Sequence, residues 1–355
     1  EIGLGGAQDN DDDTLLFGLK DSVMVAAGSH HLLTFFALYQ FESFSPENFM
    51  ASPSAGDTSR RHTVNTGAGD EIDLLDHRLL ITPSFWFENI FNSLNNNDPS
   101  LLVPATFANT DSEHHFSASL GVKGKVTSFL DLIAHAARSF RNPTFPELFG
   151  DRGGIVGNPL LDPQESINWD VGFQFHPPLE KGGRGDFLND LFISSLYFDR
   201  RVTNLIQFQQ NSGFARAENV GKARIQGMEI QGGAEFLNHF GLYGNYTFQI
   251  AKDWAKSGRT IPGQPKHELD TRLEGWWKKW KGTVSLNWMD SNFLDPLNTR
   301  VVRDRLLLNS ALSFWPKDKI GVTVEAKNLA DDQVVDVVGF PLPGRSFYAK
   351  ADLRF

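Results

Sequence analysis

Apolar and polar residues alternate one by one along much of this chain. The closing stretch shows it best. Phe347, Ala349, Ala351, Leu353 and Phe355 fall on one side, and Ser346, Tyr348, Lys350, Asp352 and Arg354 on the other. A period of two is the signature of a strand with one apolar face. Residues 167–175, 228–236, 240–250 and 320–327 read the same way, and 116–122, 269–277, 284–288 and 306–314 do so more weakly. About fifteen such segments are predicted, most long enough to cross a bilayer as a tilted strand of roughly 9–11 residues. Helical periodicity is scarce, and no helix is predicted.

The connections alternate as well. Short ones read AGSH (27–30), GKVT (124–127), FLNH (236–239), KWKG (279–282) and WPKDK (315–319). Long polar ones fall between them at 45–62, 93–114, 140–164, 251–265, 289–304 and 329–345. Tight turns on one side and long loops on the other are the layout of an outer-membrane barrel, whose turns face the periplasm and whose loops face outward. HPPLEKGGRGDFLND (176–190) is long where a short turn is due, and reads as an insertion. Trp276, Trp277, Trp280, Trp315, Phe236 and Phe240 cluster at the short turns, as an interfacial aromatic girdle would. The polar faces carry Glu, Asp, Lys, Arg and Gln, which a packed soluble core would not hold. The fold predicted is all-β, a transmembrane antiparallel β-barrel. The alternative is a large soluble sandwich or propeller; loop parity and the lack of a blade-length repeat argue against it.

Composition narrows the function. The 355 residues carry 33 Lys and Arg against 43 Asp and Glu, a formal charge of −10. That disfavours nucleic acid as a partner. No cysteine is present, so disulfides, thiolate metal sites and thiol nucleophiles are excluded. No phosphate loop, nucleophile elbow or zinc-protease motif occurs, and neither an enzyme nor a cofactor is expected. The chain opens on Glu1 with no signal peptide legible after it. EIGLGG reads as the stump of an earlier strand. DNDDD (9–13) reads as an acidic loop tip, with Ca²⁺ binding as the alternative.

Residues 138–175, RSFRNPTFPELFGDRGGIVGNPLLDPQESINWDVGFQF, are more specific. They resemble the barrel of TonB-dependent outer-membrane receptors at Arg141, Pro143, Glu147, Leu148, Gly157, Asn158, Pro159, Leu161 and Pro163. Gln164 stands where the family more often has Glu. The likeness continues through RVTNLIQF (201–208), read as an outgoing strand, then ENVGKARIQGMEIQ (218–231), IPGQPKH (261–267), AKNLADD (326–332), FPLPGR (340–345) and the terminal Phe355. It implies a barrel of about 22 strands around an N-terminal plug, of which about 15–16 strands are legible in residues 1–355. It also implies uptake of a scarce nutrient, a siderophore, haem or cobalamin, energised by TonB. Partners would be outer-membrane lipid, a small nutrient ligand such as a metal chelate, TonB through a missing N-terminal region, and the barrel-assembly machinery through the last strand. A self-contained passive channel of about 16 strands, or a receptor fragment without function, is the other reading.

Candidate ligand contacts lie in the predicted outer loops: Arg141, Glu147, Arg152 and Asn158 in 140–164, Phe107 in 93–114, and Phe293 and Arg300 in 289–304. Arginine and aromatic side chains suit an anionic or aromatic ligand. Pro143, Gly157, Pro159, Leu161, Gly344, Arg345 and Phe355 read as residues that shape the fold instead. His30–His31 and His114–His115 are adjacent pairs, and neighbours on a strand point to opposite faces, so neither pair can chelate from one side.

Overall fold

A computed structural model describes residues 2–3, 6–7, 10–48, 58–96, 107–150, 155–179, 187–210, 215–219, 221–254, 258–317, 319–337 and 340–353. Fifteen strands form one sheet. They are β1 (Asn10–Ala27), β2 (His31–Asn48), β3 (Ser59–Leu74), β4 (Leu79–Asn96), β5 (Phe107–Lys125), β6 (Leu130–Arg141), β7 (Gln164–Phe175), β8 (Leu188–Thr203), β9 (Lys222–Phe236), β10 (Phe240–Asp253), β11 (His267–Trp277), β12 (Trp280–Met289), β13 (Arg305–Lys317), β14 (Ile320–Lys327) and β15 (Ser346–Leu353). Each pairs antiparallel with its neighbours in sequence, an uninterrupted meander. No pairing joins β1 to β15 among the described residues, so this sheet has two free edges.

The alternation read from the sequence sets the two faces. Along β7, Ile167, Trp169, Val171 and Phe173 are exposed, Ile167 at 54% of its full surface. Asn168, Asp170, Gly172 and Gln174 lie between them on the other, half-buried face. This inverts a soluble protein, whose large apolar side chains point inward. The register carries each face across the sheet. Val171 stands opposite Ala134 and Tyr197, and Asp170 opposite His135 and Phe198. The inner face holds ion pairs: His135–Asp170 at 3.4 Å, Lys123–Asp131 at 3.0 Å, and Glu274 between Arg272 and Lys281 at 3.1 Å each. A continuous exposed apolar face with every interior backbone group in the ladder is what a bilayer demands.

Loop parity holds. Turns of two to four residues join β1–β2, β3–β4, β5–β6, β9–β10, β11–β12 and β13–β14, while 176–187 is the longer exception. Asn238 and Lys278 take positive φ in two of these turns. Aromatic rings gather at this end: Phe236 and Phe240 lie 5.6 Å apart, Trp280 and Phe314 4.4 Å, and Trp277 is exposed.

Four sequence expectations are corrected. One short helix exists, α1 (Phe145–Phe149). Thr144 caps it: its hydroxyl accepts from the Glu147 amide, and the Glu147 carboxylate accepts from the Thr144 amide, a local device that periodicity does not reveal. Second, Asn10–Asp13 are strand, paired with Ser45–Asn48, so DNDDD is not a loop tip. The ladder extends past the alternating stretch because backbone pairing is indifferent to side chain. Third, Ile2–Gly3 pairs with Gly6–Ala7 and not with the main sheet. Fourth, 201–208 is not one strand: β8 ends at Thr203, Asn204 turns at φ 54°, and Ile206–Gln210 enters a separate three-stranded sheet with Ala215–Asn219 and Ile155–Val156. Asn tolerates that left-handed conformation better than most residues.

Candidate functional site

Loops at the end opposite the short turns fold back onto the inner face of the sheet. Loop 142–163 supplies α1, whose Phe145, Leu148 and Phe149 are buried against Phe44 of β2 and Leu94 of β4, with Leu161, Ile206 and Ala217 completing the cluster. The ring of Phe44 lies 5.8 Å from that of Phe145 and 6.4 Å from that of Phe149. Arg61 of β3 clasps the same loop. Its Nη1 donates to the Pro143 carbonyl at 2.8 Å, its Nε donates to Asn92 Oδ1 at 2.9 Å, and its guanidinium lies 4.9 Å over the Phe145 ring. Three strands of the wall thus hold one loop on that face.

Within that loop, the predicted residues are mostly engaged with one another. Arg141 donates to both carboxylate oxygens of Glu147, at 3.1 and 2.9 Å. Glu147 is therefore at once helix cap and arginine partner. Asn158 donates to the Ala217 carbonyl at 3.1 Å and accepts from the Leu160 amide at 3.2 Å. Pro143 and Pro159 are buried, and Leu161 is in the apolar cluster. Gly157 sits so close to α1 that a Cβ there would lie 2.3 Å from the Phe149 carbonyl carbon. Gly150 closes the helix at φ 77°. Arg152 and Phe355 lie outside the described residues. Phe107 begins β5 opposite Asn96, and its side chain is not described.

Two further loops are held by carboxylates. Asp295 accepts from the amides of Thr299 and Arg300, at 2.9 and 2.6 Å, and from the Thr299 hydroxyl at 2.9 Å. Burial raises its pKa, but these donors outweigh burial and hold it below the ordinary carboxylate value. Asn298 bridges to the neighbouring loop through the Thr260 carbonyl and amide, at 2.8 and 2.9 Å. Phe293 belongs to a short hairpin with Val301, and its carbonyl accepts from the Gly263 amide. The Arg300 side chain is exposed. In loop 328–345, Asp332 pairs with Arg303 and accepts from the Leu306 amide, which lowers its pKa. Asp331 accepts from the Arg345 amide at 2.8 Å and lies against Gly344, where a Cβ would meet its carboxylate at 2.8 Å.

Between loops 204–221, 254–266 and 290–304 lies a crevice of about 170 Å³ lined by Leu205, Lys222, Arg259, Ile261 and Leu297 among others. That is below the roughly 300–1,000 Å³ of a pocket enclosing a small-molecule ligand. His114 and His115 face opposite ways: His114 bonds Asn89 at 2.8 Å, and His115 bonds Asn142 at 3.1 Å. No group of three metal-ligating residues occurs among the described residues.

Sequence reading missed Phe44, Arg61, Asn92 and Leu94. They lie on strands roughly fifty to a hundred residues before the loop they hold in place, and no local signal links them to it.

The family model described as "TonB dependent receptor-like, beta-barrel" matches residues 4–329. The vitamin B12 transporter BtuB of Photobacterium profundum is 25% identical over 231 residues, 65% of this chain and 36% of that protein. Transferrin-binding protein A of Neisseria meningitidis serogroup B is 32% identical over 134 residues, 35% of this chain and 14% of that protein. Among solved structures, the copper transporter OprC superposes with a TM-score of 0.77 at 13% identity, covering 98% of this chain and 57% of that one. The unliganded ferric citrate transporter FecA gives 0.71 at 18% identity, covering 98% and 55%. The chain spans a little over half the length of these solved proteins and about a third of that of BtuB. It is an outer-membrane β-barrel, and it belongs to the TonB-dependent receptor-like β-barrel family.

Proposed function

We propose that residues 1–355 are the barrel portion of an outer-membrane receptor that captures a scarce nutrient complex on its outer loops. Energy from the inner membrane, passed through TonB to a plug in the barrel, then drives the complex inward. The observation that carries this reading is the family match over 4–329, on a sheet whose outer loops fold onto its inner face. The free edges of β1 and β15 also support it. Among the described residues these two strands do not pair with each other, and unpaired backbone is costly against lipid, which favours a ring completed by further strands. A self-contained channel would need β1 and β15 to pair.

The ligand class is a metal chelate or cofactor of siderophore or cobalamin type. The receptors similar to this chain are titled for vitamin B12, transferrin, copper and ferric citrate. Exposed Arg300 and the nearby Phe293 are proposed as contacts, with Arg152, whereas Arg141, Glu147 and Asn158 serve to shape the loop. The test is uptake of radiolabelled ferric siderophores and cobalamin by cells that carry or lack the gene. Uptake lost on deleting either the gene or TonB fits active import. Uptake that survives TonB deletion would replace this reading with passive diffusion.

A further inference from the structure

Near the outer end of the sheet, on its outward face, four cations stand in one row. The register runs Arg138 of β6, Ile167 of β7, Arg201 of β8, Arg224 of β9 and Lys252 of β10, each directly opposite the next. With strands about 4.8 Å apart, the row spans roughly 19 Å. This is the apolar face, not the lumen. One outward-facing step toward the turns, about 7 Å away, comes Ala136, Trp169, Asp199, Gln226 and Ile250. The step after that is Ala134, Val171, Tyr197, Met228 and Phe248, in which Val171, Tyr197 and Met228 are exposed. The cations therefore lie on the loop side of the exposed apolar residues of β7, β8 and β9.

The row is built as a unit. Asp199 is wholly buried beneath it; Arg201 Nε donates to its Oδ1 at 3.1 Å and Arg224 Nε to its Oδ2 at 2.6 Å. One carboxylate thus holds two guanidinium groups in place and neutralises only one of them. Arg224 also lies 5.0 Å over the Trp254 ring. Arg138 bonds Glu165 at 2.7 Å and lies 4.9 Å over the Phe140 ring. Lys252 donates to the Thr260 hydroxyl at 3.2 Å. Four cations against Asp199 and Glu165 leave an excess of two positive charges on a chain whose formal charge is −10. A surplus of this sign, fixed at the edge of an apolar face, is unexplained by nutrient capture, because it points away from the inner face that the loops cover.

We propose that this row binds the phosphate groups of an anionic lipid of the outer leaflet, with the lipid's acyl chains lying along Trp169, Val171 and Tyr197. Guanidinium forks match phosphate oxygens two at a time, and a lipid needs an apolar wall directly beneath the charges. Here the register supplies both. The reading depends on the outer-membrane location and not on the identity of the nutrient.

The test is native mass spectrometry of the full-length protein, purified from outer membranes in mild detergent and offered a bis-phosphorylated glycolipid. The wild type retains the lipid. The double variant Arg201→Gln/Lys252→Gln lowers the retained fraction by about tenfold, the loss of two solvent-screened charge contacts. Arg224 still covers Asp199 in that variant, and heat-modifiable gel mobility checks its fold. Arg201→Lys/Lys252→Arg keeps binding, as does Lys123→Gln on the inner face. The same glycolipid without its phosphates binds as weakly as the double variant shows. Equal retention by the double variant, or equal binding of the dephosphorylated lipid, would overturn the proposal. So would complete displacement by inorganic phosphate at the lipid's own concentration, which would make the row a site for free anions.

Discussion

Arg61 illustrates how one side chain can hold a loop. It is 8% exposed, donates to Asn92 and Pro143, and stacks on Phe145. Arg61→Met keeps the length and removes the donors, and loses about 1.5–3 kcal/mol of loop docking. Amide exchange over 143–149 measures this directly, while the wall strands stay protected. Asp295 and Asp332 make a second prediction. Both have folded-state pKa values below the ordinary carboxylate value. A depressed pKa contributes stability that is fully present above the unfolded value, about 3.9, and is lost as pH falls through the folded one. Loops 290–304 and 328–345 are expected to keep their protection from neutral pH down to about 4 and to lose it below. Amide exchange corrected for intrinsic rate, followed at Arg300 and Leu306, reads the transition. Loosening that begins near pH ~6 would mean a histidine governs these loops instead.

At the scale of the element, the loop motif was legible but its purpose was not. PTFPELF announces a helix only in retrospect, because five residues are too few for a period of 3.6 to show. What makes α1 is its Thr144–Glu147 cap and a buried seat for Phe145 and Phe149. Phe149→Ala is expected to cost about 3–5 kcal/mol, the range for a fully buried phenylalanine. A protease would then cut loop 142–163 in intact cells at concentrations that spare the wild type. The strands offer a cleaner test of their two faces. Val171→Arg, midway along β7 on the apolar side, costs about 2–4 kcal/mol in a bilayer. Gln174→Arg, on the inner side beside Lys123 and Asp131, leaves stability nearly unchanged. Urea unfolding in lipid vesicles compares the two. Equal costs would mean that the faces have been assigned the wrong way round.

For the whole molecule, the consequential feature is that the sheet does not close on itself among the described residues. β1 is exposed along its described side chains and β15 along nearly all of its length, and among the described residues no strand adds to the outer edge of either. Residues 1–355 expressed alone in detergent are therefore expected to self-associate through those edges. Light scattering after size exclusion would show dimers or larger species, and a sharp monomer would mean that the edges close on each other. Loop parity puts all the long connections at one end. Strands from β2 to β9, with their loops, bring Phe44, Leu94, Phe145, Ile206 and Ala217 together there. Strand order places Arg138 and Lys252 at the two ends of one line across five strands.

The alternation of side chains by itself determined the class of fold, the strand count and the side on which the long loops lie. These follow from a period of two and from turn length, which are local properties of a strand. The loop motif of 138–175 added the family. Tertiary structure alone decided which loop residues are already engaged. Arg141 and Glu147 are candidate ligand contacts in the sequence, and the structure adds their 2.9 Å pairing and the capping of α1. It alone brought Arg61 to Pro143, and Arg138, Arg201, Arg224 and Lys252 into one row. Such neighbours depend on cross-strand register, and register is a relation between distant segments that no single stretch of the chain contains.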